Sequence, residues 1–258
     1  MQELKEKISE LSAMKSYPKE LFFSGDTSLL KRKKVSIVGS RKPSKYSRDL
    51  THQIASQLSK NGVCVVSGGA MGIDAIAHKA AGEANTISVL PCGIDIKYPA
   101  INKNLLCEIE RQGLLISQFK KDFKATAWSF VVRNELVVAL GDVLVVAEAE
   151  LSSGSMRSIE FALKMGKEIY VLPHRVGESS GTNELLKQNK ATAIYDVKEF
   201  ASRYIDEDAK QEIKIDDFLE FCKSSPTYDE AQKKYPERVF EAELSGEIVI
   251  RNGLVLLI

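Results

Sequence analysis

Two glycine-centred loops hold the residues of this chain best suited to chemistry. Gly39-Ser40-Arg41 follows the apolar run Val35–Gly39, and Ser67-Gly68-Gly69-Ala70-Met71-Gly72-Ile73-Asp74 follows Val63–Ser67. Glycine lets backbone approach a ligand closely, a neighbouring hydroxyl can hydrogen-bond, and a guanidinium matches phosphate geometry. Free N–H groups and the positive end of a helix after the second loop would attract an anion. Two such loops at adjoining strand tips make a phosphate site, at the edge where open α/β sheets bind ligands. For Arg41 the competing reading is a tight turn with a solvated side chain.

The loops do not read as a cofactor site. A dinucleotide loop has the form GxGxxG with an acidic residue roughly 20 positions on. This chain has GSRKPS, and its second strand ends in Ser67-Gly68-Gly69. Both departures count against NAD and FAD, and no cofactor is expected. Asp74 falls in a first helical turn, where capping is its natural task; His78, among alanines, reads as a packed histidine. There is no HExxH, no Walker sequence, and no Ser/His/Asp spacing among His52, His78 and His174, so no catalytic residue is assigned. Cys64, Cys92, Cys107 and Cys222 match no zinc spacing and read as reduced structural thiols, with no metal expected.

What the residue types do fit is an unpaired nucleic-acid strand, held by cations on its backbone and by aromatic faces on its bases. Arg41, Lys42, Arg133 and the cluster Lys120, Lys121 and Lys124 could supply the first. Phe130, with Trp128, could supply the second, at roughly 1–3 kcal/mol per stacked base. The plainer readings are a core aromatic for Phe130, whose helix also carries Val131, Leu136 and Val137, and a solvated loop for the lysines.

The elements that must position these residues follow from periodicity. Apolar runs at Val35–Gly39, Val63–Ser67, Thr86–Leu90, Leu114–Ser117, Asp142–Ala147 and Glu168–Leu172 read as buried strands. Helical patterns at Tyr46–Lys60, Ile73–Ala81, Ile101–Gly113, Phe130–Leu140 and Ser155–Met165 alternate with them. Strands apolar throughout, alternating with helices, predict an α/β fold with a doubly wound, Rossmann-like parallel sheet. Residues 1–30 read as an N-terminal extension, 31–205 as the Rossmann-like domain, and the polar stretch 201–214 as a linker. Helices at Asp216–Lys223, Thr227–Lys234 and Arg238–Leu244, then a hairpin at Asn252-Gly253, predict a small winged-helix-like C-terminal domain over 215–258.

Charge divides along the same line. Residues 206–258 hold 7 Lys+Arg and 13 Asp+Glu, net −6, whereas residues 1–205 hold 29 basic and 22 acidic residues, net +7. The basic part could attract a polyanion; the acidic part is a poor phosphate binder. No apolar run approaches the roughly 20 residues of a membrane helix. The N-terminus is charged throughout, unlike a signal peptide. No membrane association and a cytoplasmic location are therefore expected.

The run VGSR, then SGGAMGIDAIAH, then TISVLPCGIDIKYPAINKNLL is similar to the signature of the DNA-processing protein A family. ISQF, WSFVVRN, VVAEAELSSGSM and GTNELL follow in order, so the resemblance covers residues 35 to about 195. It implies a non-catalytic protein that binds and protects incoming single-stranded DNA, loads RecA recombinase during natural transformation, and forms a homodimer through its Rossmann-like domain. By position, Gly39, Ser40 and Arg41 match the family's first DNA-contacting loop, and Ser67, Gly68 and Gly69 its second. Phe130, Arg133 and Asn134 match its aromatic/RN segment, and Ser153, Gly154 and Ser155 its late SG loop. Three departures occur: Glu135 where the family usually has a second arginine, Ser117-Gln118 for its SE, and Pro173-His174 for its PG. Lys120, Lys121, Lys124 and Arg157 are expected to compensate for the lost arginine. The alternative is a nucleotide or nucleoside hydrolase, or a small-nucleotide sensor, on a related Rossmann-like fold. Such hydrolases rely on a PGGxGTxxE segment absent here, and the nearest carboxylates, Glu148 and Glu150, lack that context.

Overall fold

The structure, a computed structural model, describes residues 2–207, 217–244 and 247–257. The chain divides into two compact units, Met1–Lys210 and Gln211–Ile258.

The first unit opens with β1 (Gln2–Glu3) and β2 (Phe22–Gly25), then alternates β3 (Lys34–Val38), α1 (Lys45–Lys60), β4 (Cys64–Ser67), α2 (Ile73–Ala81), β5 (Thr86–Leu90), α3 (Lys103–Gln112) and β6 (Leu114–Ser117). It continues with α4 (Ala127–Leu140), β7 (Val143–Val146), α5 (Ser155–Lys164), β8 (Ile169–Val171), α6 (Ser180–Lys187), β9 (Thr192–Ala193) and α7 (Val197–Ser202). Among the described residues the strands form one sheet in the order β1-β2-β6-β5-β4-β3-β7-β8-β9. From β6 through β9 every pairing is parallel; β2 joins β6 and β1 joins β2 antiparallel. The expected doubly wound Rossmann-like sheet is therefore present.

Alternate residues of a strand point to opposite faces. Val35 and Ile37 pack with Ile54, Leu58 and Ala77 of α1 and α2 on one face. Val38, Val66 and Val146 pack with Leu136, Leu140 and Ile159 of α4 and α5 on the other. This two-sided burial is why the strands lack polar alternation. β3 has β4 on one side and β7 on the other, so the chain's winding direction reverses between β3 and β7. A crevice opens there at the carboxyl ends of the strands.

Several element ends shift by a residue or two from expectation, and three differences have a clear packing cause. Residues 2–30 are built into the unit rather than appended to it. They add two strands, Leu11 and Leu29 are fully buried in the sheet's core, and Glu10 reaches the buried Lys34 ammonium at 2.6 Å. Periodicity missed them because their strands are short and their helices are single 3₁₀ turns, Ser9–Ala13 and Thr27–Lys31. α4 begins at Ala127, not Phe130, because Thr126 caps it in a reciprocal box with Ser129. The linker does not start at 201: α7 runs to Ser202, and Ala201 is buried beside Phe200 against Tyr170. Residues 208–214 of that stretch lie outside the described residues.

In the second unit α8 (Asp217–Cys222), α9 (Tyr228–Lys234) and α10 (Pro236–Leu244) precede the hairpin of β10 (Ile248–Arg251) and β11 (Leu254–Leu257). Phe218, Cys222, Ala231, Val239, Ile248 and Val255 form its core. Asn252 and Gly253 turn the hairpin with φ of 53° and 76°, the left-handed pair such a turn requires. No helix among the described residues is long and apolar enough to cross a membrane.

Candidate nucleic-acid interface

The crevice at the β3/β7 reversal has a volume of about 470 Å³. Gly39, Ser40 and Arg41 reach it from the tip of β3, Gly68 and Ala70 from the tip of β4, and Phe130, Arg133 and Asn134 from α4. Ser153, Gly154, Ser155 and Arg157 close its far side at the start of α5. Four segments scattered over about 120 residues of sequence thus meet in one place.

The two glycine loops lock into each other. The Ser40 carbonyl accepts from the Ile73 amide at 3.1 Å, and the Ser40 hydroxyl accepts from the Lys42 amide at 3.1 Å. Gly72 has φ +77°, and a Cβ there would lie 2.3 Å from the Ser40 carbonyl oxygen, so only glycine fits. The side-chain amide of Asn102, just before α3, donates to the Gly69 and Ala70 carbonyls at 3.0 Å each. These contacts fix the loop backbone before any ligand arrives.

Arg133 is not the exposed phosphate contact its motif suggested. It is 4% exposed and runs beneath the second loop, with Nη1 3.8 Å from Asp74 Oδ2 and 3.4 Å from the Val89 carbonyl. A Cβ at Gly68 would fall 1.3 Å from Arg133 Nη1, so Gly68 is glycine to let the guanidinium pass. Burial pushes the Asp74 carboxyl above its ordinary value, and Arg133 pulls it only part of the way back. Asp74 accepts from the Ala70 amide at 3.3 Å, holding the loop ahead of α2 rather than only capping the helix. His78 is packed, as expected: its Nδ1 lies 2.7 Å from Thr86 Oγ1, its Nε2 has no partner among the described residues, and burial holds its pKa down to about 3.

Arg41 is exposed, and its guanidinium carbon stands 5.5 Å from the Phe130 ring centroid. Phe130 is half-buried: Arg133 lies 5.9 Å from its centroid, and Tyr98 meets it edge-on at 5.7 Å. It is neither a core aromatic nor a free one. Tyr98, 43% exposed, is a second aromatic at the rim that the periodicity passed over, since it sits in an irregular segment before Pro99. Trp128 is 63% exposed and meets Phe119 rather than Phe130.

Most of the other expected contacts lie off the crevice. Ser67 is fully buried and donates to the Ile37 carbonyl at 2.6 Å; Gly69, with φ +68°, is buried over Ser88 and Leu106. Lys120, Lys121 and Lys124 do not line the crevice, and Lys120 pairs with Glu20 at 3.0 Å. Arg157 does line it, but pairs with Glu160 at 2.8 Å. Glu135 points to the N-terminal segment, where it accepts from the Lys15 amide at 3.0 Å. Charge lost relative to the family at that position is therefore lost away from the crevice.

Carboxylates also face the crevice. Glu148 accepts from the Ser44 amide at 2.9 Å and hydroxyl at 2.8 Å. Burial raises its pKa, but hydrogen bonds from Ser47 and Ser44 outweigh that and hold it below the ordinary value. Glu150 accepts from the amide and hydroxyl of Ser180. Among the described residues no three His, Cys, Asp or Glu gather as a metal cluster would require.

The same segments are shared with known proteins. A structure describing the single-stranded DNA binding mode of DNA processing protein A from Helicobacter pylori is similar with a TM-score of 0.77 at 42% identity, over 78% of this chain and 94% of that one. DNA processing protein A (DprA) from Streptococcus pneumoniae gives 0.71 at 31% identity, over 77% and 71%. Protein Smf of Escherichia coli is 35% identical over 69% of this chain and 49% of its own, and the DNA processing protein DprA of Streptococcus pneumoniae 34% identical over 69% and 64%. The chain spans between about half and two thirds of the length of these two curated relatives. The sequence profile of DNA recombination-mediator protein A matches residues 5–205, the whole stretch whose loops, helices and sheet build the crevice, and the chain belongs to that family.

Proposed function

We propose that this protein is a non-catalytic single-stranded DNA-binding protein of natural transformation, protecting incoming DNA in the cytoplasm and loading RecA recombinase onto it as a homodimer formed through the Rossmann-like unit. The observation that carries the reading is the convergence of the Gly39–Arg41 loop, the Gly68–Ala70 loop, Phe130 and Ser153–Ser155 on one crevice. Likeness to the Helicobacter pylori protein, whose single-stranded DNA binding mode has been described, supports it. Arg41 supplies a guanidinium for phosphate, and the Phe130 and Tyr98 faces supply stacking for bases. The hydrogen bonds to Glu148 and Glu150 leave both carboxylates as loop anchors, which argues against a general base and so against the hydrolase alternative. The acidic second unit, read as winged-helix-like, is assigned to protein contacts.

A retardation assay with oligo-dT tests this. Wild type should retain the strand, with affinity falling steeply as salt rises. Arg41→Ala should bind more weakly than Lys42→Ala, because Arg41 alone of the two lines the crevice. Release of base from nucleoside monophosphates, or equal binding by Arg41→Ala and wild type, would overturn the reading.

A further inference from the structure

The crevice is a poor place to hold a polyanion. Asp74, Glu148 and Glu150 line it against Arg41, Arg133 and Arg157. Of the cations, Arg133 is paired with Asp74 and Arg157 with Glu160, which leaves only Arg41 without an ion-pair partner among the described residues. Single-strand affinity comes largely from neutralising consecutive phosphates, so one free guanidinium is too little.

The missing charge lies next door. A second groove, of about 450 Å³, runs between the start of α1 and one face of α2. Arg41 belongs to both hollows, and Lys42, Arg48 and Lys79 join it here. No Asp or Glu lines this groove, and none of its four cations is ion-paired among the described residues. Ala75 and Ile76 share a helix face with Lys79, and Gly72 stands just before that helix, so two of these three neighbours of Lys79 are small.

We propose that this α1–α2 groove is the backbone track of the bound strand. Arg48 and Lys79 would neutralise successive phosphates of unpaired DNA that leaves the crevice past Arg41. The inference rests on the single-strand reading above. It assigns the two hollows different tasks: the charge-balanced crevice and its aromatic rim face bases and sugars, and the uncompensated groove faces phosphates. A base has donors that carboxylates and carbonyls can accept, whereas a phosphate has none, so the division follows the charges.

The test uses the full chain and the double variant Arg48→Ala/Lys79→Ala. Both side chains are exposed, so the fold should be kept. The control Lys190→Ala/Lys198→Ala removes the same charge from exposed residues on neither hollow. Affinity for oligo-dT is measured against salt concentration. The expected result is roughly tenfold weaker binding by the double variant at low salt and a log–log salt slope shallower by about 1.4, two phosphates at about 0.7 each. The control should keep the wild-type slope, and Arg48→Lys/Lys79→Arg should restore it. An unchanged slope in the double variant while wild type binds would overturn the track and leave the single-strand reading standing. So would an equal loss in the control, or a loss confined to duplex DNA. Failure of wild type to retain oligo-dT at all would overturn both.

Discussion

At the scale of single residues, two arginines of similar outward promise have opposite situations. Arg41 is exposed beside Phe130; Arg133 is buried beneath Gly68 and balanced against Asp74. Removing one partner of a buried ion pair leaves the other uncompensated, at a cost of roughly 3–5 kcal/mol. Arg133→Ala is therefore expected to shift the urea unfolding midpoint strongly, and to lose strand binding as a consequence of a disordered second loop. Arg41→Ala should unfold as wild type does. If Arg133→Ala unfolded at the wild-type midpoint, the guanidinium would not be what props the loop. Nothing in the sequence separates these two residues: both stand beside a motif partner, and Arg133's burial depends on Gly68, some 65 positions away in the chain and opposite it in space.

At the scale of elements, the strands and helices of the parallel sheet were legible because the sheet is buried on both faces, which writes each strand as an unbroken apolar run. The two glycine loops were legible because glycine at a strand tip is a backbone requirement that leaves few substitutes; a Cβ on Gly72 would meet the Ser40 carbonyl at a distance no Cβ could occupy. Legibility failed where position depends on tertiary pairing. The lysines at 120–124 resemble a nucleic-acid patch in sequence, yet their loop follows β6, away from the β3/β7 reversal. The N-terminal segment failed similarly: Phe22–Gly25 is a strand only because β6 offers it an antiparallel edge. Its importance is testable through Leu11, fully buried in the core. Leu11→Ala should cost about 2–5 kcal/mol of stability, the ordinary range for emptying a buried leucine site. A wild-type midpoint in urea would mean that the segment is docked without supporting the sheet.

At the scale of the whole molecule, charge is the organising variable. Residues 1–210 hold 30 basic and 25 acidic side chains; residues 211–258 hold 6 and 10. The net charge of each part, +5 and −4, nearly cancels over the chain, which is why the total of +1 conceals the asymmetry. An acidic unit of its own core has no electrostatic reason to sit on phosphates, since like charges repel and no counterions are released. Ending the chain at residue 210 should therefore leave oligo-dT affinity within about twofold of wild type, and leave the salt slope unchanged, because that slope counts phosphates neutralised. A steeper loss, with a shallower slope, would mean that the second unit supplies cations to the strand despite its net charge, with Lys233 and Lys234 of α9 the first to test. Unchanged binding alongside a lost ability to engage a recombinase would assign the acidic surface to protein, where the same negative charge is an asset for meeting a basic partner.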